Sequence, residues 1–302
     1  MTVVYNGATG SLGAYLAGAA AERRQPALAL GARLESRADL RRELDLAGPR
    51  EGPVLFVQLA ARVSVPDCER DPEGALRTNV RDTVATVEEV VRWADALRLD
   101  LTLVYVSSGH VYAPQPSGRL IAESDPVAPR SVYARTKLEA EEQLAALARA
   151  SGRRLIVARV FGLVAPVQPP NYVLPGLIRR VAERRCEGIP GLSFVRDYLD
   201  ARDVCDLLLA LGAPAAPSGL YNVCSGEPVT LRELVAEIAR AIDPENAAQI
   251  AARATEGPGR PDDLPWIAGD PARLSAAIGR PPRRRALRQT IEEAVREQGQ
   301  RS

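Results

Sequence analysis

Tyr133 and Lys137 lie four residues apart in "VYARTKLEA", a segment whose pattern predicts a helix, and that spacing puts both side chains on one face. Upstream, "VYVSSGHVY" places Ser107 and Ser108 at the end of an apolar run that reads as a parallel strand. Together these side-chain types can work on a carbonyl group. A serine hydroxyl can hold the carbonyl oxygen and a tyrosine can pass it a proton. A lysine ammonium can stabilise phenolate and lower the tyrosine pKa from its free value of about 10. Lys137 is the single lysine among 39 lysines and arginines, and His110 is the single histidine. A composition this averse to lysine would use arginine wherever arginine serves. Lys137 is thereby singled out for work that a bulky planar guanidinium does poorly.

Holding these groups together calls for strands that end side by side, because the C-terminal ends of parallel strands are where open α/β sheets bind ligands. The stretches "TVVYN", "ALALG", "VLFVQLA", "LTLVYVSS" and "RLIVARV" read as such strands. Helical patterns run between them, from about Ser11 to Arg24, from about Pro72 to Leu97, and over residues 132–150. Apolar strands alternating with helices predict an α/β fold with a parallel sheet covered on both faces. After Phe161 the pattern is broken by Pro166, Pro169, Pro170 and Pro175, and it returns at "DARDVCDLLLALG" and "GLYNVCSG". The expected division is a large nucleotide domain, residues 1–161 and 201–224, with a smaller lid built from residues 162–200 and 225–302.

The loop "GATGSLG" sets Gly7, Gly10 and Gly13 between the first strand and the first helix. The first glycine permits the tight turn, the second lets a pyrophosphate approach the backbone, and the third lets helix and strand pack closely. The anion would sit at the helix N-terminus, with Thr9, Ser11 and Leu12 around it.

Composition excludes several classes of function. A formal net charge of +1 provides no general field for nucleic acid or an acidic membrane, and "RRR" at 283–285 reads as a solvated surface cluster. No run of about 18 apolar residues predicts a membrane span. "TVVYNGATG" begins a strand at once rather than a leader peptide, so the expected location is the cytoplasm. Cys68, Cys186, Cys205 and Cys224 lack paired metal-ligand spacing, and with one histidine no metal site is expected.

Taken together, the chain resembles the extended short-chain dehydrogenase/reductase family, in its nucleotide-sugar branch. The resemblance rests on "GATGSLG", "QLAA" at 58–61, Asn79-Val80, "SSGHVY", Tyr133-x-x-x-Lys137, "VRDYLDARDV", "YNVCSGEPVT" and "GRPDDLPWIAGD", and it spans nearly the whole chain. It implies a doubly wound Rossmann domain and a smaller C-terminal substrate-binding domain. Ser108 rather than Ser107 is implied as the catalytic serine, because it stands three residues before Val111-Tyr112. Arg33, Asp45, Leu46, Leu59, Ala60, Ala61, Asn79 and Val160 are implied to join the glycine loop, Tyr133 and Lys137 around the cofactor, with Asp45-Leu46 at the adenine. Gly109, His110, Asn171, Val173, Arg196 and Arg260 are implied to join Ser108 and Tyr133 around the substrate, the two arginines clamping a diphosphate. The helices at about 72–97 and 131–150 are implied to form a homodimer interface. Gln58 stands where relatives usually carry histidine, and the sequence assigns it no consequence.

Two departures narrow the chemistry. The 4,6-dehydratases carry an acidic pair after the catalytic serine or threonine, whereas this chain has Gly109 and His110, the latter expected to contact substrate with a pKa near 6.5. At the end of the second strand, "LALGARLES" has Gly31 where an acidic residue would hold a ribose 2′-hydroxyl and repel a 2′-phosphate, and Arg33 follows. Both favour NADP over NAD. The expected activity is NADPH-dependent reduction of a keto group, at C4, of a nucleoside-diphosphate sugar. The expected substrate is a TDP-4-keto-6-deoxyhexose, as in bacterial deoxysugar and antibiotic biosynthesis. A redox-neutral NAD-dependent epimerase, a reductase of another small carbonyl and a non-enzymatic redox sensor are the rivals. Whatever the substrate, Lys137→Arg keeps the charge but not the donor geometry. It is expected to slow turnover on the order of a hundredfold, and steady-state rates will show whether it does.

Overall fold

A computed structural model describes residues 1–170, 172–259, 263–282 and 284–300. The chain opens as β1 (Thr2–Tyr5), α1 (Gly13–Glu22), β2 (Ala27–Ala29), α2 (Arg37–Ala47) and β3 (Pro53–Gln58). It continues through α3 (Val65–Arg70), α4 (Pro72–Leu76), a π-helical turn (Arg77–Asp82), α5 (Thr83–Ala96), β4 (Asp100–Ser108), α6 (Val132–Ser151) and β5 (Arg154–Val160). Next come β6 (Gly162–Val164), α7 (Val173–Ala182), β7 (Ile189–Pro190), β8 (Val195–Asp200), α8 (Ala201–Leu211) and β9 (Gly219–Val223). The tail holds β10 (Pro228–Thr230), α9 (Leu231–Ile242), α10 (Ala247–Ala252), β11 (Glu256–Gly257), β12 (Trp266–Ile267), α11 (Ala272–Ile278) and α12 (Leu287–Gly299).

Six strands form one parallel sheet in the order β2-β1-β3-β4-β5-β9. The order reverses between β1 and β3, and their C-terminal ends flank a crevice. Alternation along each strand divides the core in two. Val3, Tyr5, Leu55, Val57, Val104 and Val106 face α1 and α8. Val4, Val54, Phe56, Leu101, Leu103 and Tyr105 face α2, α5 and α6. Burial on both faces explains the unbroken apolar runs of β3 and β4.

The expected helix from Pro72 to Leu97 is interrupted by the π-helical turn, which contains Asn79. Its wider turn lets Asn79 reach sideways. The Asn79 side chain accepts from the Arg62 backbone N–H (2.7 Å) and donates to the Arg62 carbonyl (3.0 Å) and the Thr136 hydroxyl (3.0 Å). The apolar stripes of α5 and α6, among them Val87, Val90, Val91, Leu144 and Ala148, face the sheet, leaving Arg92, Glu139, Glu142 and Arg149 outward.

A second sheet joins β8 to β6, β10 and β12. Behind it, α7, α9 and α12 close an apolar cluster including Leu177, Ile178, Leu234, Ile238 and Ile291. The tail also returns to the first sheet. Leu274 of α11 packs in its core, Arg280 pairs with Asp206 (2.7 Å), Arg285 pairs with Asp203, and Thr290 donates to Asp200 (2.7 Å).

A buried polar chain ties α6 to the sheet. Glu141 pairs with Arg159 of β5 at 2.6 Å, both almost fully buried, and accepts from the Ser107 hydroxyl. The Arg159 guanidinium lies 4.6 Å from the centroid of the Tyr112 ring, and the Tyr112 hydroxyl donates to Asn222 of β9 (2.7 Å). Removing one member leaves the other charge buried without its partner. Arg159→Leu is therefore expected to lower stability by about 3 kcal/mol or more in urea unfolding, and Glu141→Leu together with Arg159→Met to restore most of that loss.

Candidate active site

The crevice between β1 and β3 is built on close backbone approach. Gly7 has φ +71°, and a Cβ there would stand 2.8 Å from the Ala60 nitrogen. A Cβ on Gly13 would run into the Gly7 carbonyl and stand 2.7 Å from the Ala8 Cα. Asn6, at the end of β1, accepts from the N–H groups of Leu59 and Ala60 (2.9 Å each) and donates to Gln58 (2.6 Å). Gln58 in turn donates to the Ala60 carbonyl (3.0 Å). This clamp fixes the Leu59–Ala61 turn beside the glycine loop, and it gives Gln58 a role that the sequence left open. Asn6 was not among the expected site residues; a polar residue ending an apolar strand was its only local signal.

The loop has the features of a pyrophosphate cradle. The Ser11 hydroxyl is buried and has no hydrogen-bond partner in the protein, while α1 begins at Gly13 without a side-chain cap. Thr9 and Gly10 are exposed at the mouth. A buried hydroxyl without a partner costs free energy, and the first-turn N–H groups of a helix favour an anion. The residues present therefore fit a dinucleotide cofactor.

Tyr133 and Lys137 rise from the first two turns of α6, whose N-terminus is capped by Ser131 accepting from Ala134 N–H (3.1 Å). Lys137 Nζ donates to the Val106 carbonyl (2.9 Å) and lies 6.0 Å from the Tyr133 ring centroid and 5.0 Å from that of Tyr105. Burial pushes Lys137 down to about 8, against the opposing charge of Glu141. Burial pushes Tyr133 up to about 12, against a hydrogen bond with Ser108. At neutral pH the phenol therefore keeps its proton and can donate it. Ser108 also accepts from His110 N–H (3.2 Å), whereas the Ser107 hydroxyl is engaged by Glu141. Val160, the partner of Ser108 in the β4–β5 register, closes this edge.

On the substrate side, Gly109 lies where a Cβ would come within 3.0 Å of the Phe161 ring. Arg196 donates to the Val195 and Leu264 carbonyls (2.8 Å each) and lies 5.5 Å from the Phe194 ring centroid. His110 is close enough to feel the charges of Arg196 and Asp263. Burial first, and then Arg196, lower it to about 4, so it is neutral near pH 7 rather than poised near 6.5. Val173 opens α7, half exposed, at a cavity of about 680 Å³ lined also by Tyr172, Leu177, Arg180 and Ile189. Asn171 and Arg260 lie outside the described residues.

Four expected cofactor contacts need correction or comment. Asp45 and Leu46 sit in the last turn of α2, which runs from the C-terminal end of β2 toward the start of β3, and so lie at the opposite end of the strands from the crevice. Asp45 pairs with Arg41 (2.9 Å) and Leu46 is 80% exposed. Asn79 is buried with its amide engaged by Arg62 and Thr136, which makes it a positioning residue. Arg33 extends into solvent with its side chain 85% exposed, 3.9 Å from Glu35.

A crevice at a strand-order reversal, a glycine loop beneath it and a serine–tyrosine–lysine group at its edge are the framework of the short-chain dehydrogenase/reductase class. Residues 3–224 match the NAD dependent epimerase/dehydratase family, and the chain belongs to it. Over 193 residues it is 30% identical to a GDP-6-deoxy-D-mannose reductase from Pseudomonas aeruginosa, a match that takes in 61% of this chain and spans 62% of that relative's length. It is 28% identical to a dTDP-6-deoxy-L-talose 4-dehydrogenase (NAD(P)(+)) from Kitasatospora kifunensis, over 74% of this chain and 69% of that one. The solved structure of RMD from Pseudomonas aeruginosa complexed with NADPH superposes with a TM-score of 0.82 at 25% identity, covering the whole of both chains.

The two serines are separable by experiment. Ser108→Ala is expected to lower kcat on the order of a hundredfold with little change in melting temperature. Ser107→Ala, which loosens the buried Glu141–Arg159 pair, is expected to lower the melting temperature while kcat stays within about threefold.

Proposed function

We propose that the protein reduces the C4 keto group of a TDP-linked 4-keto-6-deoxyhexose with NADPH. The observation that carries this reading is the Ser108–Tyr133 hydrogen bond beside buried Lys137, followed by Gly109 and a neutral His110 where elimination of water would need an acid. The solvent-extended Arg33 supports NADPH, since it is free to turn toward a 2′-phosphate. The two relatives support a 6-deoxyhexose nucleotide, and the Kitasatospora enzyme supports position 4 and a deoxythymidine diphosphate.

The bound nicotinamide would supply the hydride. Ser108 holds the carbonyl oxygen, and Tyr133 delivers its proton there. Lys137, held by the Val106 carbonyl, offsets the charge left on the tyrosine. Arg196 and, beyond the described residues, Arg260 would hold the diphosphate. The cavity beside Val173 would take the nucleoside. Residues 162–200 and 225–302 would serve as the nucleotide-sugar-binding part, and 1–161 with 201–224 as the dinucleotide-binding part. No helix among the described residues is long and apolar enough to cross a membrane, and a cytoplasmic homodimer is the working form we propose.

The test is consumption of external cofactor with a panel of keto-sugar nucleotides. One NADPH should be oxidised per TDP-4-keto-6-deoxyhexose converted. Arg33→Ala should lower kcat/KM for NADPH about ten- to a hundredfold and leave NADH nearly unchanged. Turnover without net cofactor loss would instead favour the epimerase reading, and preference for NADH would remove the NADP assignment.

A further inference from the structure

The strand end at Gly31 has a carboxylate beside it after all. The N–H groups of Gly31 and Ala32 both donate to Glu43 Oε2, at 2.9 and 3.2 Å. Glu43 comes from the second turn of α2, twelve residues beyond Gly31. A Cβ on Gly31 would stand 3.3 Å from the other carboxylate oxygen, so a side chain there would crowd the arrangement. The turn is anchored next to the glycine loop, because Leu30 N–H donates to the Tyr5 carbonyl (2.7 Å) and Asn6 and Gly7 follow directly. Two consecutive N–H groups aimed at one oxygen form an anion-binding concavity.

We propose that Glu43 sets the discrimination between the 2′-phosphate and 2′-hydroxyl forms of the dinucleotide, by occupying the N–H pair that a 2′-phosphate would need. The proposal rests on reading this edge as the adenosine end of the cofactor site, but not on which cofactor the wild type prefers. A 2′-phosphate must displace the carboxylate or sit beside a like charge. A 2′-hydroxyl is a donor, and the carboxylate offers it an acceptor. Glu43 thus supplies across space what position 31 lacks in sequence. Gly31 has a second function, giving that side chain room. Arg33 and Glu43 then act in opposite directions on the same group, the first attracting a 2′-phosphate and the second opposing it.

The decisive measurement is calorimetric binding of adenosine 2′,5′-bisphosphate and adenosine 5′-monophosphate, which reports on this end without turnover. Glu43→Gln keeps an acceptor for the two N–H groups and removes the charge. It should raise the affinity ratio of bisphosphate to monophosphate about tenfold over wild type. Glu43→Ala serves as the second variant should Glu43→Gln melt well below wild type. A rise under threefold, a fall, or no binding of either nucleotide to any form overturns the proposal. The NADPH reading fails separately, when wild type binds the bisphosphate no better than the monophosphate and Arg33→Ala leaves that ratio where it was.

Discussion

Lys137 places its ammonium group out of reach of water, and a chain of buried polar groups runs from it across the sheet. An ammonium taken out of water loses hydration that only fixed partners can replace. The Val106 carbonyl provides one such partner, and Glu141, one helical turn further along α6, provides a countercharge. Glu141 is itself buried, so Arg159 and Ser107 must satisfy it, and the Arg159 guanidinium is covered in turn by the Tyr112 ring. The chain of compensation ends at Asn222, on the far strand of the sheet. The setting of Lys137 beside Tyr133 is therefore tied to residues as distant as β9.

The same logic separates two adjacent serines. Ser107 belongs to the compensation for Lys137, whereas Ser108 is turned to the tyrosine and to the short turn that carries His110. The epimerase/dehydratase family runs its reactions on a shared framework. After Ser108 this chain has Gly109 and His110, and burial and then Arg196 move the histidine toward its neutral form.

Much of this was legible in the sequence where the signal is periodic or closely spaced. Apolar runs bounded by turn residues located the central strands, and the four-residue interval located Tyr133 and Lys137 on one face of α6. The glycine intervals located the loop whose third glycine packs against the first. What escaped depends on residues far apart in the chain. The Asn6–Gln58 clamp, the Glu141–Arg159 pair and the Glu43 contact each join elements that no local pattern connects. Asp45-Leu46 failed for a different reason. A two-residue motif does not say which end of a helix it occupies, and α2 carries it away from the crevice.

The return of the tail to the first sheet bears on how the molecule can move. Leu274 sits in the first core, and Arg280, Arg285 and Thr290 reach back to three aspartates on or just before α8. The chain thus crosses between its two parts several times, as stitching crosses a seam. Rotation of one part against the other would have to break buried carboxylate contacts together with a packed leucine. The tail and the first sheet are therefore expected to melt together rather than in sequence.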